Sequence, residues 1–185
     1  MFRISLAIWT LTLFAAIECV QFRIGELRFD TRGLRVIHEG TKWCGTGDIA
    51  ESDEDLGEYR VLDACCRSHD KCADSIEPGQ TKHGLTNRHV FCLSHCKCDY
   101  QLYSCLKAVD SSAKENRAAI NVGDEYFNDL NVQCFDYTLP AICTRNETRH
   151  EKIGVFSLSP HKCTRYEFQD GEKQWQWFDV PFFED

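Results

Sequence analysis

Asp63-Ala-Cys-Cys-Arg-Ser-His-Asp-Lys-Cys72 is the stretch on which the reading of this chain turns. In helical form, Cys65, His69 and Cys72 fall at spacings of four and three and share one face, while Cys66 and Asp70 share the adjacent face. One short helix would then carry two disulfide anchors, a candidate general base and a candidate carboxylate ligand for a metal. Around it Leu62, Cys65, Cys66, His69, Cys72 and Ala73 keep helical period, and Pro78-Gly79 ends the element.

A second periodic run, Leu85 to Ala108, repeats at Cys98, Leu102, Cys105 and Leu106, with Asp99 on the side of Leu102 and Leu106. Cys65 and Cys72 are seven residues apart, and so are Cys98 and Cys105, close to two helical turns. If the two helices run antiparallel, a single register lets Cys65 face Cys105 and Cys72 face Cys98. His69 and Asp99 then lie within about half a turn of that register, which sets a buried carboxylate beside the histidine. Cys66 points about 100° away from Cys65 on a helix and must reach elsewhere, with Cys44 a candidate. The fold expected is mainly α with small β elements, disulfide-rich, with two long antiparallel helices clamped by disulfides.

Upstream, Trp43-Cys-Gly-Thr-Gly47 sets two glycines around one residue, a composition for an irregular loop whose backbone approaches a ligand closely. The acidic stretch from Asp48 to Glu58 reads as a solvated loop. Beyond the second helix, Gly123 to Phe127 and Asn131 to Leu139 read as short strands and loops. The tail aromatics Trp175 to Phe178 read as a covered strand or core contribution rather than a lipid-contacting rim.

Twelve cysteines in 185 residues imply an oxidising compartment. The N-terminus agrees: Met1-Phe-Arg3 is a short positive start, and the apolar run Ile4 to Ile17 is too short to span a bilayer and reads as a signal peptide cut after Ala16 or Cys19. Residues 20–35, charged and without a cysteine, read as a pro-segment, so that cleavage after Arg35 starts a single mature domain of residues 36–185 at Val36. Asn146-Glu-Thr148 is a glycosylation acceptor pattern suited to a secreted protein. A formal charge of -8 and the lack of any Lys/Arg run speak against a nucleic-acid partner.

The chemistry these residues permit is ester hydrolysis. A neutral imidazole takes a proton from water, and a carboxylate on its other nitrogen fixes the tautomer and stabilises the cation; His69 and Asp99 can supply that pair. Calcium prefers oxygen ligands, and loop carbonyls with the Asp70 carboxylate suit it. No Gly-x-Ser-x-Gly elbow is present to support a serine nucleophile. Structural zinc on Cys96-Lys-Cys98 is disfavoured because secretion oxidises thiols.

Trp43-Cys-Gly-x-Gly47, Asp63-Ala-Cys-Cys-Arg-x-His-Asp70, Lys82-His-Gly-Leu-Thr-Asn87, Cys96-x-Cys-Asp99, Tyr103-x-Cys-Leu-Lys107 and Gln176-Trp-Phe-Asp179 resemble, in the same order, the secreted phospholipase A2 superfamily of the bee-venom type, or group III. The resemblance spans roughly Val36 to Val180. It implies calcium-dependent cleavage of the sn-2 ester of glycerophospholipids at a membrane or micelle surface. By motif, His69 resembles the base, Asp99 its orienting carboxylate, Tyr126 a tyrosine of the same network, and Asp70 with the carbonyls of Trp43, Gly45 and Gly47 the calcium shell. It also implies the bridges Cys44–Cys66, Cys65–Cys105, Cys72–Cys98, Cys96–Cys134 and Cys143–Cys163. Cys92 departs from the pattern and is left over once Cys19 is removed, which raises a disulfide-linked partner. The rival expectation is a catalytically idle scaffold that binds a lipid or receptor.

Overall fold

The computed structural model of the protein describes residues 21–24, 27–30, 36–130, 132–149, 151–153, 156–158 and 161–184. The expected signal peptide lies outside the described residues. Of the expected pro-segment, only the antiparallel pair β1 (Gln21–Ile24) and β2 (Leu27–Asp30) is described.

The cysteine-rich stretch is helix α1 (Arg60–Asp70), which buries Leu62, Asp63, Cys65 and Cys66. Its partner is α2 (Cys96–Lys107), which buries Cys96, Asp99, Leu102 and Leu106. Cys65 bonds Cys105 and Cys72 bonds Cys98, with Cα–Cα separations of 5.7 and 5.9 Å, in the register that the sevenfold spacing gave. Each helix is only three turns long, however, and the chain is mixed α/β. The expected helical run from Leu85 breaks into strands, and α2 starts only at Cys96. Asn87 explains the break. Fully buried, its amide nitrogen donates to the carbonyls of Ile76 and Phe91, both at 2.7 Å, and its oxygen accepts the His89 N–H at 2.8 Å. A side chain that satisfies loop backbone on three sides holds this segment out of a helix.

The strands before α2 are short: β3 (Ser75–Ile76) pairs with β6 (Leu93–Ser94), and β4 (Thr81–Lys82) with β5 (Leu85–Thr86). The β4–β5 turn sets His83 at φ 56° and Gly84 at φ 77°, the two positive values that a two-residue hairpin needs.

A third helix, α3 (Ala113–Gly123), runs into a π-helical turn, Asp124–Asp129, where loops and strands were expected. Ser112 caps α3 by accepting the Glu115 N–H. Glu115 itself turns away to cap another helix: α1 has no side-chain cap of its own, and Glu115 accepts the N–H groups of Val61 at 2.7 Å and Leu62 at 3.0 Å. Burial alone would raise its pKa, but hydrogen bonds from Ser111 and from those two N–H groups hold the carboxyl below the usual glutamate value. A depressed carboxyl contributes its stability above the unfolded value of 4.5 and loses it as pH falls through the folded value. Glu115→Gln should therefore cost about 1–2 kcal/mol in urea unfolding at pH 7, with the difference shrinking in acid. A pH-independent difference would contradict this account.

The C-terminal third is built of antiparallel pairs. β7 (Gln133–Thr138) pairs with β12 (Gln174–Asp179), and β8 (Ala141–Thr148) with β11 (His161–Phe168), while β9 (Glu151–Ile153) pairs with β10 (Phe156–Leu158). The tail aromatics thus form a strand, as expected, with Phe178 in the core and Trp175 stacked on His83 at 3.8 Å. The five bridges that the resemblance implied are all present, the other three being Cys44–Cys66, Cys96–Cys134 and Cys143–Cys163. Loops of this length are worth about 2–4 kcal/mol each in unfolded-state entropy. Cys92 is also disulfide-bonded, and no free cysteine remains among the described residues.

Candidate active site

The last turn of α1 presents His69 toward α2. Its Nε2 lies 2.7 Å from Oδ1 of Asp99, a residue with no solvent exposure, while the imidazole itself is 13% exposed. With Nε2–H donated to Asp99, Nδ1 of this partly exposed ring is left as the acceptor. Tyr126 closes the group. Its hydroxyl donates to Asp99 Oδ1 at 3.0 Å and stands 3.2 Å from His69 Nε2, with the rings edge-on at 5.1 Å. Burial and the Asp99 charge push the Tyr126 hydroxyl well above its ordinary value, so it stays a donor. The other Asp99 oxygen, Oδ2, is buried and has no hydrogen-bond partner.

Tyr126 sits on the π-helical turn, closed by the Leu130 N–H to Glu125 carbonyl bond. Asn128 clamps that turn to the C-terminal segment, accepting the Phe183 N–H at 2.8 Å and donating to its carbonyl at 3.1 Å. A π turn swings side chains out of ordinary helical register, and such turns are frequent at functional sites.

The glycine loop is tied to α1 twice. The Cys44–Cys66 bridge spans 5.1 Å between Cα atoms. Asp63, fully buried, accepts the N–H groups of Lys42 at 3.0 Å, Trp43 at 2.8 Å and Gly57 at 2.8 Å. Asp63 stood in the decisive motif, but the spacing gave it no role; an acid on the apolar flank of Leu62, Cys65 and Cys66 was the available signal. The loop needs its glycines. Gly45 adopts φ +156°, and a Cβ there would stand 2.0 Å from the Val36 carbonyl oxygen, while Gly47 adopts φ +81°.

In this loop the carbonyls of Lys42 and Cys44 are spent on the N–H groups of Ile49 and His38. Those of Trp43, Gly45 and Gly47 accept no hydrogen bond among the described residues. Asp70 keeps an exposed edge, yet the protein crowded against its carboxyl pushes it up to about 7, with Asp48 and Asp63 adding to the rise and His69 opposing it. An acid whose charged form lacks a counter-charge, near a loop with three uncommitted carbonyl oxygens, is a donor set that fits calcium. Among the described residues no cluster of three or more His, Cys, Asp or Glu side chains could hold a metal, so an ion here would rest on backbone oxygen.

The family model for phospholipase A2 matches residues 37–138, a span that holds the loop, the His69–Asp99 pair and Tyr126. The chain belongs to the phospholipase A2 family. It is 43% identical over 147 residues to a phospholipase A2 of Xylocopa appendiculata circumvolans, covering 79% of this chain and 73% of that one. Over 146 residues it is 38% identical to a phospholipase A2 of Bombus pensylvanicus, covering 78% and 98%. The phospholipase A2 of Apis mellifera is 32% identical over 162 residues, covering 87% and 86%. Membership in the phospholipase A2 family makes the chain an enzyme, and no described helix is long and apolar enough to cross a membrane.

Proposed function

We propose that this chain is a secreted, calcium-dependent phospholipase A2 that hydrolyses the sn-2 ester of glycerophospholipids at an aggregated lipid surface, releasing a fatty acid and a lysophospholipid. The observation that carries the reading is the 2.7 Å contact between His69 Nε2 and the buried Asp99, which leaves Nδ1 of a partly exposed imidazole as the base. His69 Nδ1 takes a proton from a water molecule as that water attacks the ester carbonyl. Asp99 holds the ring in this tautomer and offsets the imidazolium charge, and Tyr126 fixes the accepting oxygen of Asp99. The imidazolium then returns its proton to the departing glycerol oxygen, which restores the base.

Asp70 with the carbonyls of Trp43, Gly45 and Gly47 would hold the calcium ion, and when bound it supplies positive charge for the oxyanion. The disulfide framework supports an extracellular location. The test is fatty-acid release from vesicles of sn-2-labelled phosphatidylcholine by the oxidised protein, in calcium and in chelator. Release in calcium that stops in chelator is expected. No release in calcium would move the reading to a lipid- or receptor-binding scaffold, and equal release in chelator would remove the metal.

A further inference from the structure

Against the π-helical turn that carries Tyr126 lies a buried lysine that this chemistry does not use. Lys162 of β11 has no solvent exposure. Its ammonium donates to the carbonyl of Phe127, on the π-helical turn beside Tyr126, and to the carbonyl of Val180 at 3.3 Å. The ring of Phe182 lies 5.1 Å away. Among the described residues no carboxylate is within ion-pair distance of it. A cation buried without a touching anion costs stability relative to an apolar side chain of the same length. Packing alone therefore gives no reason for the charge.

We propose that Lys162 is a positioning residue for the hydrolytic network: its ammonium pins the π-helical turn that presents Tyr126, the hydroxyl partner of Asp99, and its positive charge acts on Asp99 through its field. The proposal rests on the hydrolase reading. Two features of Asp99 call for such a charge. Its Oδ2 is buried with no hydrogen-bond donor in contact. Its Oδ1 must also remain the acceptor when His69 becomes imidazolium rather than take the proton itself. The Lys162 charge offsets that of the buried Asp99 carboxylate, and Asp99 in turn helps Lys162 keep its own proton.

The groups that face Lys162 come from every side. Burial lowers its value to about 8, the charges of Asp179 on β12 and Asp99 on α2 raise it, and Arg149 after β8 lowers it. Arg149 is itself paired with Glu184 at 2.8 Å. Asp179 is committed to the Cys163 N–H at 2.8 Å and to the Gln133 amide at 2.8 Å, so it acts on Lys162 through its field. Tyr126, on the turn that Lys162 pins, stays neutral across this range. Lys162 is thus protonated at neutral pH and sheds its proton as the medium becomes moderately alkaline.

The test compares wild type, Lys162→Met and Lys162→Arg in the vesicle assay from pH 6 to 10, with calcium at saturation and folding checked by thermal unfolding. In wild type, kcat should fall as pH rises past about 8. Lys162→Met should lose about tenfold or more in kcat at pH 7 with KM within about twofold, and should lack the alkaline fall. Lys162→Arg, which keeps its charge throughout, should retain most of kcat and shift the fall out of range. In the same samples the NMR signal of the proton on His69 Nε2 should move near pH 8 in wild type and not in either variant, which reads the network without turnover. Folded Lys162→Met with wild-type kcat and an unchanged alkaline limb would overturn the proposal. If that variant does not fold, an alkaline limb and NMR transition unmoved in Lys162→Arg would overturn it as well. Absence of wild-type turnover would instead sink the hydrolase reading, and the NMR transition would still decide the place of Lys162.

Discussion

His69→Gln should lower ester hydrolysis by about 10²–10⁴-fold, because it removes general base catalysis and little else. A glutamine amide can still donate to Asp99, so the 2.7 Å contact keeps a partner and the buried carboxylate is not abandoned. What it cannot do is accept a proton from water, since the amide has no basic nitrogen. The loss should fall on kcat with KM little changed, the mark of an interaction made mainly in the transition state. The variant should unfold near the wild-type temperature, because the clamps Cys65–Cys105 and Cys72–Cys98 on either side of His69 remain. A variant that keeps a tenth or more of the wild-type kcat would mean that another group activates the water. Loss of calcium binding in the same variant would mean that the substitution had disturbed Asp70 rather than the base.

The pair of helices and its cross-links could be read from sequence for a geometric reason. Two cysteine pairs at a spacing close to two turns leave few registers, and the register that joins them sets His69 beside Asp99. The outer parts were harder. Leu85 to Ala108 has helical period throughout, but its first half is governed by the buried Asn87 amide, and a side chain that replaces backbone bonding leaves no trace in a hydrophobic pattern. The third helix had a legible signal, Ser112-x-x-Glu115 followed by Ala118, Ala119 and Val122, yet Glu115 spends its carboxylate on α1 rather than on its own N-terminus. Tyr126 was placed by resemblance alone. The π turn that aims it depends on contacts with Phe183 and Lys162, far away in the chain, and local periodicity cannot report these.

The other large effect expected is that of Asp63→Ala. Asp63 is the nearest thing to a foundation beneath the loop: one buried carboxylate accepts three backbone N–H groups, two of them from Lys42 and Trp43 at the start of that loop. Alanine would leave these donors without a partner, and each buried unmet donor costs about 1–3 kcal/mol. Loss of the charged acceptor should lower the unfolding free energy by about 3 kcal/mol or more, a large share of what a domain this size commonly has. The Cys44–Cys66 bridge would still tether the loop, so the protein should fold with the loop loosened rather than lost. The carbonyls of Trp43, Gly45 and Gly47 would no longer be held in one arrangement, and calcium affinity by titration calorimetry should drop by about tenfold or more. Asp63→Asn, which keeps one carbonyl acceptor and loses the charge, should fall between alanine and wild type on both measures. Unchanged calcium affinity in a destabilised Asp63→Ala would separate loop rigidity from metal binding and leave Asp63 a purely structural residue.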